Sequence, residues 1–298
     1  MKKTTHIYKL ISSILLLCLA IVCYSFFSLN SNNNYGSSLN LKEPDSGLQK
    51  RFVIYDGILQ KNKPDLSQYG IKRINIIYED SLLNSGKINY SKLDHEIQKA
   101  SKNDDPICLD IESWDLTGTD YQANAEKYIT VFNYFKGKLP KRQIGYFGML
   151  PHRDIYLYKQ RSGANSLKRI NYLAQWLTMN NNIRSITANN DFAFPAFYTR
   201  NNSMPLWKWA TDQQITKLKK MDPTIPVYGF VWPQYWNNNK FTTAEDWRFQ
   251  LETLYPNCDG LIIWAPPFNL STREPIQWDS SREWWTETLK FMKDHNIK

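Results

Sequence analysis

The chain has 298 residues, 42% hydrophobic and 14% aromatic, with a formal charge of +9 and a sequence pI near 9.2. Such a composition excludes a disordered chain and supplies enough apolar material for one large core. The positive balance favours anionic partners, namely acidic polysaccharide, cell-wall polymer or a phospholipid surface, ahead of nucleic acid; dispersed lysines serve equally as solubilising charge.

Taken in order, the chain opens with Lys2, Lys3 and Lys9 before an apolar stretch at 10–27. That is the layout of a secretory signal, and its length also suits an uncleaved N-terminal membrane anchor. Cys23-Tyr24-Ser25 makes a poor cleavage site, and Val22 stands where a lipoprotein signal wants a small residue. Residues 28–50, rich in Asn, Ser and Gly, read as a flexible tether, which leaves 51–298 as the folded domain. The expected location is therefore secreted, or anchored on the outer face of the cytoplasmic membrane, with no other membrane contact. Oligomeric state is not legible.

Beyond the tether, apolar runs recur at 51–58, 73–79, 106–112, 143–149, 192–198, 226–232 and 260–264. Helical periodicity fills most intervals. Ser91-x-x-Asp94, Thr242-x-x-Glu245 and Ser281 carry helix start signals, and 123–135 (closed by Gly137), 166–180 and 211–221 are further helices. Strands that are apolar on both faces, each followed by a helix, predict an α/β fold, a TIM-like parallel barrel with seven main strands. Asp56-Gly57-Ile58 is followed by no glycine-rich phosphate loop, which counts against a nucleotide enzyme. His95, His152 and His295 lack ligand spacing, so no metal or other cofactor is expected. Cys108 and Cys258 are open to either a disulfide or two buried thiols.

Asp110-Ile111-Glu112 ends the third apolar run. In a strand, residues i and i+2 share a face with Cα atoms roughly 6–7 Å apart. Two carboxyls so close do not both ionise easily: one keeps its proton as a general acid while the other stays anionic. Parallel barrels build active sites at strand ends. The other strand ends offer Asp56, Glu79, Asp80, Tyr146, Tyr198, Trp232, Tyr235, Trp236 and Trp264, carboxylates and aromatic rings that suit a sugar. Asp56 and Glu79 also fit as helix caps, and most of the tryptophans fit as core.

The segments Leu109-Asp110-Ile111-Glu112-Ser113-Trp114, Ile144-Gly145-Tyr146-Phe147-Gly148, Phe194-Pro195-Ala196-Phe197-Tyr198 and Gly260-Leu261-Ile262-Ile263-Trp264 resemble, in order, the four strand motifs of the hyaluronidase family of glycoside hydrolases. The resemblance implies a distorted seven-stranded barrel and substrate-assisted retaining hydrolysis of an N-acetylhexosamine polysaccharide such as hyaluronan or chondroitin, an exception to the two-carboxylate scheme. It further implies Glu112 as acid and base, Asp110 as the holder of the substrate's N-acetyl group, Tyr198 as a catalytic hydrogen-bond donor to that group, and Trp264 as the wall behind the sugar. Tyr146, Trp232, Asp56 and Glu79 complete the expected substrate-binding set. Phe147 stands where the family has a second tyrosine, Ile111 replaces the central Trp, and the family's disulfides have no counterparts. A chitinase-like signature is approached by Asp105-x-x-Cys108-x-Asp110-x-Glu112 and keeps the same roles for the pair. The alternative from another class is a catalytically silent barrel that binds glycan or cell wall.

Overall fold

The computed structural model describes residues 50–153, 155, 166–200 and 202–298, so the apolar N-terminal stretch and residues 28–49 of the tether lie outside the described residues. In chain order the elements are β1 (Val53–Ile58), β2 (Lys72–Arg73), β3 (Asn75–Tyr78), β4 (Leu83–Asn84), β5 (Lys87–Ile88), α1 (Tyr90–Ala100), β6 (Ile107–Asp110), α2 (Tyr121–Lys138) and β7 (Ile144–Tyr146). There follow α3 (Ser166–Asn182), α4 (Arg184–Thr187), α5 (Met204–Met221), β8 (Tyr228–Val231), α6 (Ala244–Leu254), β9 (Gly260–Ala265) and α7 (Glu283–Asp294). Arg51–Lys298 forms one compact unit.

Helix starts are set by local side-chain caps. Asn89 accepts the Lys92 N–H at the head of α1, Ser203 the Leu206 N–H at α5, and Thr243 the Asp246 N–H at α6. The caps therefore fall at Asn89 and Thr243, not at Ser91 and Thr242. Ser203 with Pro205 behind it starts α5 well before the expected 211. Gly137 does not close α2, which runs on to Lys138.

The sheet is parallel and continuous in two pieces, ordered β2-β1-β9-β8 and β3-β6-β7. On one side they join because β2 and β3 are a single extended run broken at Ile74, with β2 on β1 and β3 on β6. On the other side, 192–198 sits between β7 and β8 and makes isolated parallel bridges, Phe147 to Phe194, Ala193 to Val227 and Ala196 to Phe230. The expected regular strand here is reduced to bridges because Pro195 has no N–H to give the ladder. The result is an α/β barrel distorted at 192–198.

Two apolar layers follow from strand alternation. Cys108, Phe147, Phe194, Phe230 and Trp232 belong to the inner core. Ile107, Leu109, Ile144 and Tyr146 face outward into the layer under α1 and α2. Gly145 is required by close approach: a Cβ there would press on the Phe192 carbonyl oxygen and the Phe194 ring. Trp114, Trp176, Trp207, Trp232, Trp247, Trp284 and Trp285 are buried, so most of the 11 tryptophans are core. Cys108 and Cys258 are both buried, and no disulfide joins them among the described residues.

Candidate active site

The β6 ladder stops at Asp110, where it pairs with Tyr78 of β3. Beyond it the backbone is irregular, yet the alternation persists for two more residues. Ile111 is buried in the outer layer and its carbonyl accepts the Tyr128 hydroxyl at 3.1 Å. Asp110 and Glu112 consequently both turn to the barrel mouth, where they line a cavity of about 440 Å³ with Tyr78, Glu79, Asp80 and Ser113. The shared face is the one expected from the sequence; the strand that was to hold both residues holds only the first.

The pair is electrostatically uneven. Burial, then the charge of Glu112 and a carboxyl–carboxyl hydrogen bond with it, pushes Asp110 up to about 7, against an opposing pull from Arg153. Asp110 Oδ1 is buried and has no hydrogen-bond partner among the described residues. An unsatisfied buried carboxyl oxygen at the mouth of a cavity is costly, which marks a group kept for something other than stability. Glu112 is 48% exposed at its side chain and its Oε2 lies 2.5 Å from Arg153 Nη2.

Two residues outside the carboxylate pair fix its geometry. Glu79, expected to touch substrate, lines the cavity and also turns one oxygen onto the backbone: Oε2 accepts the N–H groups of Glu112 and Ser113, each at 2.9 Å. It is a positioning residue that holds the chain where the β6 ladder has run out. Arg153 reaches Glu112 from the segment after β7, with its guanidinium 5.6 Å from the Phe147 ring centroid. No signal in the sequence marked Arg153; the segment 143–149 read as an apolar strand with nothing charged at its end.

Aromatic side chains form a wall behind Tyr78, and neither Tyr198 nor Trp264 is among the residues that line the cavity. The Trp264 ring stacks on Tyr198 with centroids 5.6 Å apart at 27°, and its Nε1 donates to the Tyr78 hydroxyl at 3.1 Å. Tyr198 is 8% exposed. Burial, then the nearby charges of Asp110, Tyr78 and Glu112, hold its hydroxyl well above the ordinary tyrosine range, so it stays a protonated donor at any working pH. Trp232 lies edge-on to both Tyr198 and Trp264. Phe147 faces inward, 5.9 Å from Tyr198 and 4.9 Å from Phe230, at the position where the sequence lacks the second tyrosine. Tyr78, which the sequence did not single out, also lines the cavity.

Three of the expected binding residues stand elsewhere. Tyr146 is 1% exposed and points outward, where its hydroxyl donates to the Tyr128 carbonyl at 2.8 Å; one-residue alternation along β7 gives the inner face to Gly145 and Phe147 instead. Asp56 pairs with Lys63 and accepts the Ile58 N–H, which ties its carboxylate to the turn after β1. Trp232 is fully buried and donates to Gln234 at 3.0 Å, so it backs the Tyr198–Trp264 wall without reaching the cavity. Tyr235 is likewise structural, its hydroxyl held by Asp246.

No protein-family model matches this sequence, and no curated protein matches it. Among solved structures, bee venom hyaluronidase aligns with a TM-score of 0.54 at 13% identity, over 83% of this chain and 98% of that one. The fold resembles that of a hyaluronidase. A thermostable mutant of the xylanase Xyn10A from Cellvibrio japonicus aligns with a TM-score of 0.39 at 8% identity, over 80% of this chain and 97% of that one. The GH26 β-mannanase BoMan26A from Bacteroides ovatus gives 0.36 at 12% identity, over 84% and 90%. At these identities the likeness is one of fold, and the last two carry no further weight. The chain is an α/β barrel whose fold resembles that of bee venom hyaluronidase.

Proposed function

We propose that this chain is an exported retaining glycosidase that cleaves an N-acetylhexosamine-containing polysaccharide of the hyaluronan or chondroitin kind. The observation that carries the reading is the Asp110–Glu112 pair, set in a cavity beside the Tyr198–Trp264 wall, with a proton retained by the pair up to about pH 7. In this scheme the N-acetyl oxygen of the bound sugar attacks the anomeric carbon as Glu112 protonates the departing glycosidic oxygen. Asp110 holds the acetamido N–H during attack and Tyr198 donates to the acetamido oxygen. Water then opens the cyclic intermediate with Glu112 as base, which restores the sugar's configuration. An amide nucleophile supplied by the substrate removes the need for a second carboxylate placed across the sugar. Export is part of the proposal and rests on Lys2, Lys3, Lys9 and the apolar run at 10–27, which act as a signal peptide or as a membrane anchor.

A second reading, a barrel that binds glycan without turnover, draws on the Arg153 contact that engages Glu112. Reducing-end release from hyaluronan, chondroitin, chitin oligomers and peptidoglycan, with Glu112→Gln in parallel, separates the two. Cleavage of one polymer, reduced at least about a hundredfold by the substitution, supports the glycosidase. Equal binding by both proteins with no cleavage of any polymer supports the silent barrel.

A further inference from the structure

The barrel mouth carries its charge unevenly. Glu79, Asp80, Asp110 and Glu112 line the cavity after β3 and β6, and among the described residues no lysine or arginine lines it with them. An acidic sugar seated among those carboxyls would meet like charge. Around the sheet the order runs β1, β2 with β3, β6, β7, 192–198, β8 and β9, so the segments after β8 and β9 stand across the mouth from the acids. Those segments are basic and aromatic. Trp236 is 44% exposed, and the Arg200 guanidinium lies 4.1 Å from its ring centroid. The exposed Arg273 lies 5.1 Å from the Phe268 centroid, and Arg282 lies 3.8 Å from that of Phe241. Arg273 is in no ion pair among the described residues, and Glu274 beside it instead accepts the Thr272 hydroxyl at 3.3 Å.

Trp236 and Arg273 are displayed on turns that are themselves tied down. The Trp236 N–H donates to the Thr199 carbonyl at 2.8 Å, and the Tyr235 carbonyl before it accepts the Asn239 N–H at 2.8 Å. Arg273 sits at φ 62, a left-handed backbone that an arginine rarely adopts, with its N–H on the Asn269 carbonyl at 2.8 Å. Asn239 Nδ2 donates to Ser271 Oγ at 2.7 Å and joins the two turns. Trp236 stands three positions before Asn239, and Arg273 two after Ser271. Rings lead from this rim back to the cavity: Trp236 is 5.5 Å from Trp232, Trp232 is 5.6 Å from Trp264, and Trp264 donates to Tyr78 in the cavity lining.

We propose that Trp236 and Arg273 form a rim subsite for a uronate-bearing sugar of the polymer, away from the bond that is cut. The inference rests on the acidic polysaccharide of the glycosidase reading and deepens it. An indole gives the C–H groups of a sugar ring an apolar surface, and a guanidinium gives a carboxylate a matching planar fork. In a polymer where uronate and N-acetylhexosamine alternate, a carboxylate at this rim and an N-acetyl sugar at Asp110 and Glu112 fix the register of cleavage. The positive charge that the composition shows thus acts across the mouth from the chemistry, where it does not meet the carboxyls of the cavity.

The test compares wild type, Trp236→Ala, Arg273→Gln and Arg273→Glu in binding and cleavage of a hyaluronan hexasaccharide and of the same oligomer with its uronate carboxyls reduced to alcohols. Wild type is expected to bind the acidic oligomer about tenfold tighter than its reduced form, the scale of a hydrogen bond to a charged group, and to lose that margin as salt is raised. Arg273→Gln should erase the margin and leave binding of the reduced oligomer unchanged, and Arg273→Glu should reverse it. Trp236→Ala should weaken both oligomers about tenfold. Both side chains are exposed, so the variants should melt with wild type. At saturation, kcat of Arg273→Gln should match wild type, because the residue touches no reacting group. No margin in wild type, an unchanged margin in Arg273→Gln, or unchanged binding in Trp236→Ala overturns the inference, and cleavage by wild type then leaves the glycosidase standing. The expected binding pattern without cleavage of either oligomer upholds the subsite and removes the glycosidase. Binding of neither oligomer by wild type removes both.

Discussion

Asp110→Asn should make the protein more stable at alkaline pH while removing turnover. Asp110 is moved from an ordinary 3.8 to about 7 on folding. The sign follows from proton counts: between these values the folded state binds more protons than the unfolded, so wild-type stability falls as pH rises through the window and levels off above it. At about 1.4 kcal/mol per pH unit, the whole shift sets a cost of about 4 kcal/mol, of which about 3 kcal/mol is incurred between pH 5 and pH 8. Solvent in the open mouth reduces this, so a difference of about 2 kcal/mol is the working figure. Asparagine has no proton to lose and its stability carries no such slope. Because Oδ1 has no hydrogen-bond partner among the described residues, the substitution sacrifices no bond to them at that oxygen. Urea unfolding of both proteins at pH 5 and pH 8 measures the effect as a difference of differences, which cancels the titration of groups that do not interact with Asp110. The variant should gain about 2 kcal/mol on wild type between the two pH values, about 4–8 °C in Tm for a domain of this size. An identical stability difference at both pH values would refute the assignment of the raised carboxyl to Asp110.

Other perturbations test the remaining parts of the site. Glu79→Ala leaves the N–H groups of Glu112 and Ser113 without their carboxylate and should lower kcat by about a hundredfold with little change in KM, as expected for a misplaced acid. Glu79→Gln keeps an accepting oxygen and should recover part of that loss. It should also shift the alkaline limb to lower pH, because the Glu79 charge contributes to the rise at Asp110. In Tyr198→Phe the ring stack on Trp264 survives and the hydroxyl is lost, so kcat should fall about a hundredfold while Tm stays within about 2 °C; unchanged kcat would remove Tyr198 from the chemistry. Gly145→Ala forces a Cβ against the Phe192 carbonyl, a backbone atom that cannot step aside, and should cost about 1–3 kcal/mol in urea unfolding.

Much of the architecture was written in local pattern. The apolar runs with intervening helical periodicity gave a parallel α/β barrel, and Asp110, Glu112, Tyr198 and Trp264 fell at strand ends because chemistry-bearing residues there interrupt the apolar pattern. Errors in element ends came from caps one or two residues away, Asn89 for Ser91 and Thr243 for Thr242, a choice decided by which side chain reaches a free N–H. Phe147 departs from the motif that the sequence resembles, and the structure places it inside the barrel beside Tyr198.

What the sequence by itself determined is the fold class and the presence of a carboxylate pair with aromatic company, since both depend on residue type and spacing along a short stretch. Tertiary structure alone decided how the groups are used. Tyr146 and Phe147 are adjacent and equally aromatic, but strand alternation sends the first to the helix layer and the second to the barrel interior. Asp56 and Glu79 are both strand-end acids, yet one is drawn onto Lys63 and the other onto the backbone of Glu112. Arg153 meets Glu112 across a separation of 41 positions, a contact that no periodicity encodes, because it arises where neighbouring strands of a closed barrel bring their following segments to the same rim.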